Sequence, residues 1–281
     1  MAVRIIAGST ADMPKADKEK IKIVPLTLHF GEEEYLDGVD IDNEEFYRKL
    51  EEGKISPTTS QPSPNAFKKV YDQVIEDGDQ AVVITVSSKI SGTYQSAILA
   101  AQGLEDKIFV VDSQSASVGE GALVQMALGL VEKGLSAIEI VKIIEEEKKK
   151  LEVVALLDTL EYLVRGGRLS KTSGLVGKLL SIKVVLTIGP EGIYPLGKAR
   201  GLKNANNLLN TEIDKAGGID FTKPLLIGYT GNDSTQVDKY IDDAAYIWQD
   251  HIDRPSYVSI GSVIGTHGGP GAVVVAFFRK K

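Results

Sequence analysis

The sequence predicts an α/β protein of two domains. The first carries a mostly parallel sheet with flanking helices, the second a mixed sheet with helices. Three observations predict this. The length, 281 residues, exceeds one ordinary core and suits units of roughly 100–200 residues each. In the first half, Val- and Ile-rich runs without in/out alternation take turns with helical patterns, as in a parallel sheet covered on both faces. In the second half, two apolar runs flank a turn cluster, the pattern of a hairpin. The expected division is residues 1–160 and 161–281.

Residues 3–7, 81–86, 108–112 and 153–157 read as the strands of the first half. Ser63-Pro64 offers an N-cap and a proline at the first helical position, opening a helix over 65–76. Helix 91–102 carries Tyr94, Ile98 and Ala101 at helical spacing. Helices 118–133 and 137–151 follow. In the latter, Glu145-Glu146-Glu147 precede Lys148-Lys149-Lys150, giving acid-to-base pairs that describe a solvated face. Residues 183–188 and 193–200 flank Gly189-Pro190-Glu191-Gly192 as a hairpin. A helix over 202–215, a strand over 225–229 and a helix over 233–249 come next. The last has Val237, Ile241, Ala244, Ala245 and Trp248 on its apolar side. Strands 257–264 and 272–278 flank a glycine-rich segment.

Composition excludes several function classes. With no cysteine there is no disulfide, iron–sulfur cluster, thiolate metal site or cysteine nucleophile. The 3 histidines, His29, His251 and His267, form no metal-type pair. The formal charge of −7 argues against nucleic acid or an anionic membrane as a main partner, since both select a basic face. The N-terminal residues lack the apolar run of a signal peptide, and the longest apolar stretch, 272–278, is far short of a membrane span. A cytoplasmic protein without stable membrane insertion is expected.

Polar, small-residue segments stand at the ends of apolar strands, where open parallel sheets bind ligands. Ser87-Ser88-x-x-Ser91-Gly92-Thr93-Tyr94 follows a strand and opens a helix. Its hydroxyls suit a carboxylate or phosphate, or simply cap the helix. Thr58-Thr59-Ser60-Gln61-Pro62 is a hydroxyl-rich loop with the same two readings. Arg165-Gly166-Gly167-Arg168 places planar cationic forks beside glycines, for an anion or as a helix C-terminus. His267 sits among Gly265, Gly268, Gly269 and Gly271, on a loop where its ring must bond something or meet solvent. His29 and His251 lie in ordinary strand-like and helical patterns. There is no G-x-S-x-G elbow, no phosphate loop of the G-x-x-x-x-G-K-[ST] form, and no G-x-G-x-x-G after a strand.

Taken together, Thr59-Ser60-Gln61-Pro62, Ser91-Gly92-Thr93-Tyr94, Asp112-Ser113, Gly166-Gly167-Arg168 and His267-Gly268-Gly269-Pro270-Gly271-Ala272 resemble the DegV family of bacterial fatty-acid-binding proteins. Val24-Pro25-Leu26 and Asp37-Gly38-Val39-Asp40 fit the same likeness. The resemblance implies two α/β domains with one long-chain fatty acid between them and no cofactor. It implies a carboxylate held by Thr59, Ser91 and His267, with Arg168 near the head-group and Ser60, Gly92, Thr93 and Gly268 in the neighbouring loops. It further implies a carrier without catalytic residues or a metal. A separate ATP-binding fatty acid kinase subunit would phosphorylate the bound carboxylate to an acyl phosphate for lipid synthesis. The alternatives are a hydrolase or phosphotransferase using Ser91 and His267, and a module for another anionic small molecule. Two departures stand out. Gly8 replaces an aspartate usual before Ser9-Thr10, and Val184 a proline frequent in the second domain.

Overall fold

A computed structural model describes residues 2–53, 55–169 and 182–280. In chain order the first half contains β1 (Val3–Gly8), α1 (Lys15–Lys18), β2 (Lys22–Val24), β3 (Thr27–Phe30), β4 (Glu33–Leu36), α2 (Asn43–Glu52) and β5 (Thr58–Ser60). Then come α3 (Pro64–Glu76), β6 (Gln80–Thr85), α4 (Thr93–Ala100), β7 (Ile108–Asp112), α5 (Val118–Glu132) and α6 (Ala137–Glu147). The second half contains β8 (Leu151–Leu157), α7 (Glu161–Arg165), β9 (Ile182–Gly189), β10 (Gly192–Arg200), α8 (Leu202–Lys215) and β11 (Leu226–Tyr229). It ends with α9 (Thr235–Asp243), α10 (Ala245–Trp248), β12 (Tyr257–Ser259), α11 (Ser262–Gly268) and β13 (Val273–Phe278).

The expected architecture is present. The first sheet has the order β2-β1-β6-β7 and is parallel throughout. The second has the order β10-β9-β8-β13-β11-β12 and is mixed, with only the β11–β12 pair parallel. A small antiparallel sheet, β4-β3-β5, lies outside both and is absent from the sequence reading. Its strands are three or four residues long, too short for a clear period-2 signal.

Helix α3 starts as its sequence dictates, with Ser63 Oγ accepting from Ala66 N at 3.2 Å and Pro64 at the first position. Phe67, Tyr71 and Val74 of α3 and Ala97 of α4 cover one face of the first sheet, over Ile6 and Val83. On the other face lies α5. Val118, Gly119, Ala122, Leu123, Val124, Ala127 and Leu128 are all buried, so the helix is apolar around most of its circumference. The reason is its position between the sheets, in one cluster with Ile5, Val82 and Ile84 of the first and Val153, Ala155 and Val274 of the second.

Several expectations are corrected. Strand 153–157 belongs to the second sheet, antiparallel between β9 and β13. Its unbroken apolar run reflects cover on both faces, which a central antiparallel strand shares with a parallel one. The change of sheet therefore precedes residue 151, ahead of the division at 160/161. Residues 257–264 are not one strand: β12 ends at Ser259 and α11 begins at Ser262. The β-branched Val263 and Ile264 favour a strand locally, but buried contacts at Gly261 hold the chain in a helix. Helix 233–249 is broken at Ala244, and helix 137–151 gives way to a short 3-10 turn over Lys148–Lys150.

Candidate ligand-binding site

A cavity of about 350 Å³ lies where the first sheet's strands end against the second sheet. Thr10 follows β1, Ser91 follows β6 and Ser117 follows β7, and all three line it. Leu157, Leu186, Ile188 and Val274 of the second sheet supply apolar wall. The volume is in the range of small-molecule pockets.

The polar residues singled out from sequence come together here. Thr59, Ser60, Ser91, Arg168, His267 and Gly268 all line the cavity. Thr59 stands on β5, not on a loop, and its Oγ1 meets His267 Nε2 at 2.9 Å. His267 occupies the last turn of α11, not a loop: the glycines around it end a helix, with Gly269 at φ 70°. Arg168 is braced by main chain, donating from Nε to the Ile90 carbonyl at 3.1 Å and from Nη1 to the Gly166 carbonyl at 2.6 Å. The helix C-terminus reading of its segment holds, because α7 ends at Arg165 and Gly167 has φ 74°. Gly92 and Thr93 stand behind Ser91. Thr93 Oγ1 lies 2.9 Å from Ser91 Oγ, and Thr93 N donates to the same oxygen at 3.3 Å. A Cβ on Gly92 would overlap the Gln61 side chain, whose Nε2 donates to Ser96 Oγ at 2.9 Å.

Burial, and then the neighbouring Arg168 guanidinium, push the His267 imidazole down to a pKa of about 4. The ring is therefore neutral at pH 7. Its Nδ1 is buried without a hydrogen-bond partner. It faces Gly166, where a Cβ would come within 2.2 Å of it. Among the described residues no carboxylate orients the ring, and its other nitrogen meets Thr59 instead of Ser91. Asp112 accepts from the Ser88 and Gln114 amides. His29 is bonded to Ser60 Oγ at 2.8 Å and lies 3.3 Å from Glu34. Successive side chains alternate along a strand, so this pair belongs to the face of β5 opposite Thr59. His251 stacks on Phe221.

Sequence reasoning missed Thr10 and Ser117 as cavity residues, and Asp12 behind them. Asp12 is fully buried, accepting from Ser117 Oγ at 2.7 Å and from Gly261 N at 2.8 Å. Burial raises its pKa to about 6. Among the described residues, Ser117 is also one of two non-glycine residues with positive φ, at 57°. No local sequence signal marks such a serine. Among the described residues, no group of three or more His, Asp or Glu is placed to hold a metal, and no helix is long and apolar enough to cross a membrane.

The family model described as "Uncharacterised protein, DegV family" matches residues 2–280. The chain belongs to the DegV family. A DegV domain-containing protein of Caldanaerobacter subterraneus subsp. tengcongensis is 35% identical over 285 residues, spanning 99% of each chain. A structure described as fatty acid binding of a DegV family protein from Thermus thermophilus has a TM-score of 0.88 at 32% identity, covering 99% of this chain and 100% of that one. A stearic-acid-binding protein from Eubacterium ventriosum gives 0.87 at 27% identity, covering 100% of this chain and 99% of its own. The matches cover nearly the whole of each of these proteins. Within the fold, the Val184 departure is a buried position of β9 paired to Leu157 and Lys198. Gly8 borders the cavity residues Thr10 and Leu26.

Proposed function

We propose that the chain binds one long-chain fatty acid in this cavity, in the cytosol, and presents its carboxylate to a separate ATP-binding kinase subunit. The carboxylate is held by Thr59 and Ser91, with His267 acting through Thr59 and Arg168 beside them. The observation that carries this reading is the meeting of these residues, far apart in sequence, on one otherwise largely apolar cavity. The Thermus thermophilus and Eubacterium ventriosum proteins, described as binding fatty acids, support it.

Each head-group hydroxyl has a donor behind it. With the proton on Nε2, His267 donates to Thr59 Oγ1, and the Thr59 hydroxyl proton is free for a carboxylate oxygen. Thr93 does the same for Ser91. A buried carboxylate is costly unless hydrogen-bonded, and these neutral donors meet that cost without a tight ion pair. No lysine lines the cavity among the described residues, so a carboxylate oxygen keeps its nucleophilicity. It attacks the γ-phosphorus of ATP on the partner, ADP leaves, and an acyl phosphate remains for lipid synthesis. The tail supplies affinity: about fifteen buried carbons at ~0.8 kcal/mol each give roughly 12 kcal/mol before association costs.

Denaturing mass spectrometry of protein made in a bacterial host is expected to release a long-chain fatty acid. After delipidation, His267→Ala and Ser91→Ala are each expected to weaken fatty-acid binding about tenfold, the value of one charge-assisted hydrogen bond. Absence of lipid together with absence of binding would sink the proposal. Fatty-acid-dependent ADP release, seen only when an ATP-binding subunit is added, tests the kinase step.

A further inference from the structure

The cavity wall carries a second polar cluster that the head-group residues do not use. Thr10 and Ser117 line the cavity and are each 2% exposed. Behind them is Glu120, fully buried in the first turn of α5. Thr10 Oγ1 and both Glu120 carboxyl oxygens are buried, and apart from the weak contact between Thr10 and Glu120 they have no hydrogen-bond partner. The atoms are neighbours: a Cβ on Gly8 would lie 3.2 Å from Thr10 Oγ1 and 3.9 Å from Glu120 Oε1. Buried polar atoms are nearly always satisfied, and leaving one unpaired costs roughly 1–3 kcal/mol. Several such atoms together at a cavity wall call for a polar group from the cavity side.

The chemistry of that group follows from the wall. Burial holds the Glu120 carboxyl well above the ordinary range, a cost that the adjacent Thr10 hydroxyl only partly offsets. That shift favours its protonated form, in which a carboxyl donates as well as accepts. Ser117 gives its proton to Asp12 Oδ2 at 2.7 Å and keeps its lone pairs to accept. A neutral group that both donates and accepts fits this wall, and a methylene does not. The cluster also stands away from the head-group. Asp12 ties it to Gly261, at the start of α11, whereas His267 is at the other end of that 7-residue helix, on the order of 10 Å along its axis.

We propose that Thr10 and Ser117, backed by Glu120, form a second subsite that recognises a hydroxyl on the chain of the bound acid, so that hydroxylated long-chain fatty acids are the preferred ligands. This rests on the fatty-acid reading above. The ligand hydroxyl donates to Ser117 Oγ and accepts from Thr10 Oγ1, and Thr10 is in turn relieved by Glu120.

The test is calorimetric titration of delipidated protein with octadecanoic acid and with its positional hydroxy isomers. At least one mid-chain isomer is expected to bind about fivefold tighter than the plain acid, the worth of a net hydrogen bond. In Thr10→Val that ratio is expected to fall to about one, and in Thr10→Ser to persist. Equal affinity for the plain acid and every isomer overturns the subsite while leaving fatty-acid binding intact, as a trapped water at the cluster would give. A preference that survives Thr10→Val removes the assigned residues. Binding of neither class overturns both readings.

Discussion

His267 and Asp12 respond to acid in opposite directions. A free histidine titrates near ~6.5, but in the folded chain burial and Arg168 hold it down to about 4. Between these values the unfolded chain takes up a proton that the folded chain refuses, so stability from this residue is lost as pH falls. Asp12 is raised from 3.8 to about 6, so its burial cost is relieved as pH falls through the same window. Removing the histidine separates the two. His267→Asn is expected to lose about 2 kcal/mol less stability than the wild type between pH 7.5 and pH 5, by urea unfolding of delipidated protein. A parallel pH dependence would mean that the ring is charged in the folded state. The proposed head-group residues stood out in the sequence, Ser91, Arg168 and His267 beside glycines and Thr59 in a hydroxyl-rich run. Thr10 and Ser117 were not, because a threonine after a strand and a serine before a helix look the same whether or not a cavity lies beside them.

At the scale of the element, α11 decides where His267 points. Its N-terminal end is fixed by the Gly261 amide on Asp12 and by the Ser262 hydroxyl on Asp37. Just before it, the Tyr47 hydroxyl donates to the Ile260 carbonyl at 3.0 Å. Its flank rests on α2 through Gly265, where a Cβ would come within 2.5 Å of Tyr47 Oη and 2.7 Å of Phe46 Cε1. Both rings are fully buried and in edge contact with each other, so they have little room to yield. Gly265→Ala is therefore expected to cost about 1–3 kcal/mol in overpacking and to weaken fatty-acid binding by displacing His267. Thermal melts and ligand titration would show both, and a variant with normal affinity would argue that α11 is free to shift. Sequence reading failed here for a physical reason. Val263 and Ile264 are β-branched, and the contacts that make them helical come from Asp12, Asp37 and Tyr47, more than two hundred residues earlier.

At the scale of the molecule, α5 is the shared core. Two of its glycines let it lie between the sheets. A Cβ on Gly119 would press on Val153 of β8 and on Ser115, and one on Gly121 would reach within 2.1 Å of the Asp12 carbonyl oxygen. The latter obstacle is main chain, which cannot rotate aside. Gly121→Ala is expected to lower stability by about 3 kcal/mol or more, at the upper end of overpacking costs, read as a shift in denaturant midpoint. A loss below 1 kcal/mol would show that the sheets can separate cheaply. Two sheets, one parallel and one mixed, were readable from apolar runs and the 183–200 hairpin. The sheet to which β8 belongs was not, because a run such as Val153–Leu157 is equally apolar in either place, and only its partners decide.

The strand order β10-β9-β8-β13-β11-β12 has a consequence for how the protein is made. Its inner strand β13 follows all its other described strands in sequence, and it alone joins β8–β10 to β11–β12. On the ribosome, which delivers the chain from N to C, the pieces of this sheet emerge as two separate edges with a gap between them. The parallel sheet, by contrast, has all its strands once Asp112 is out. The second sheet closes only when Val273–Phe278 arrive, immediately after the helix that carries His267. A nascent chain thus holds an unfinished cavity until Val273–Phe278 have been added.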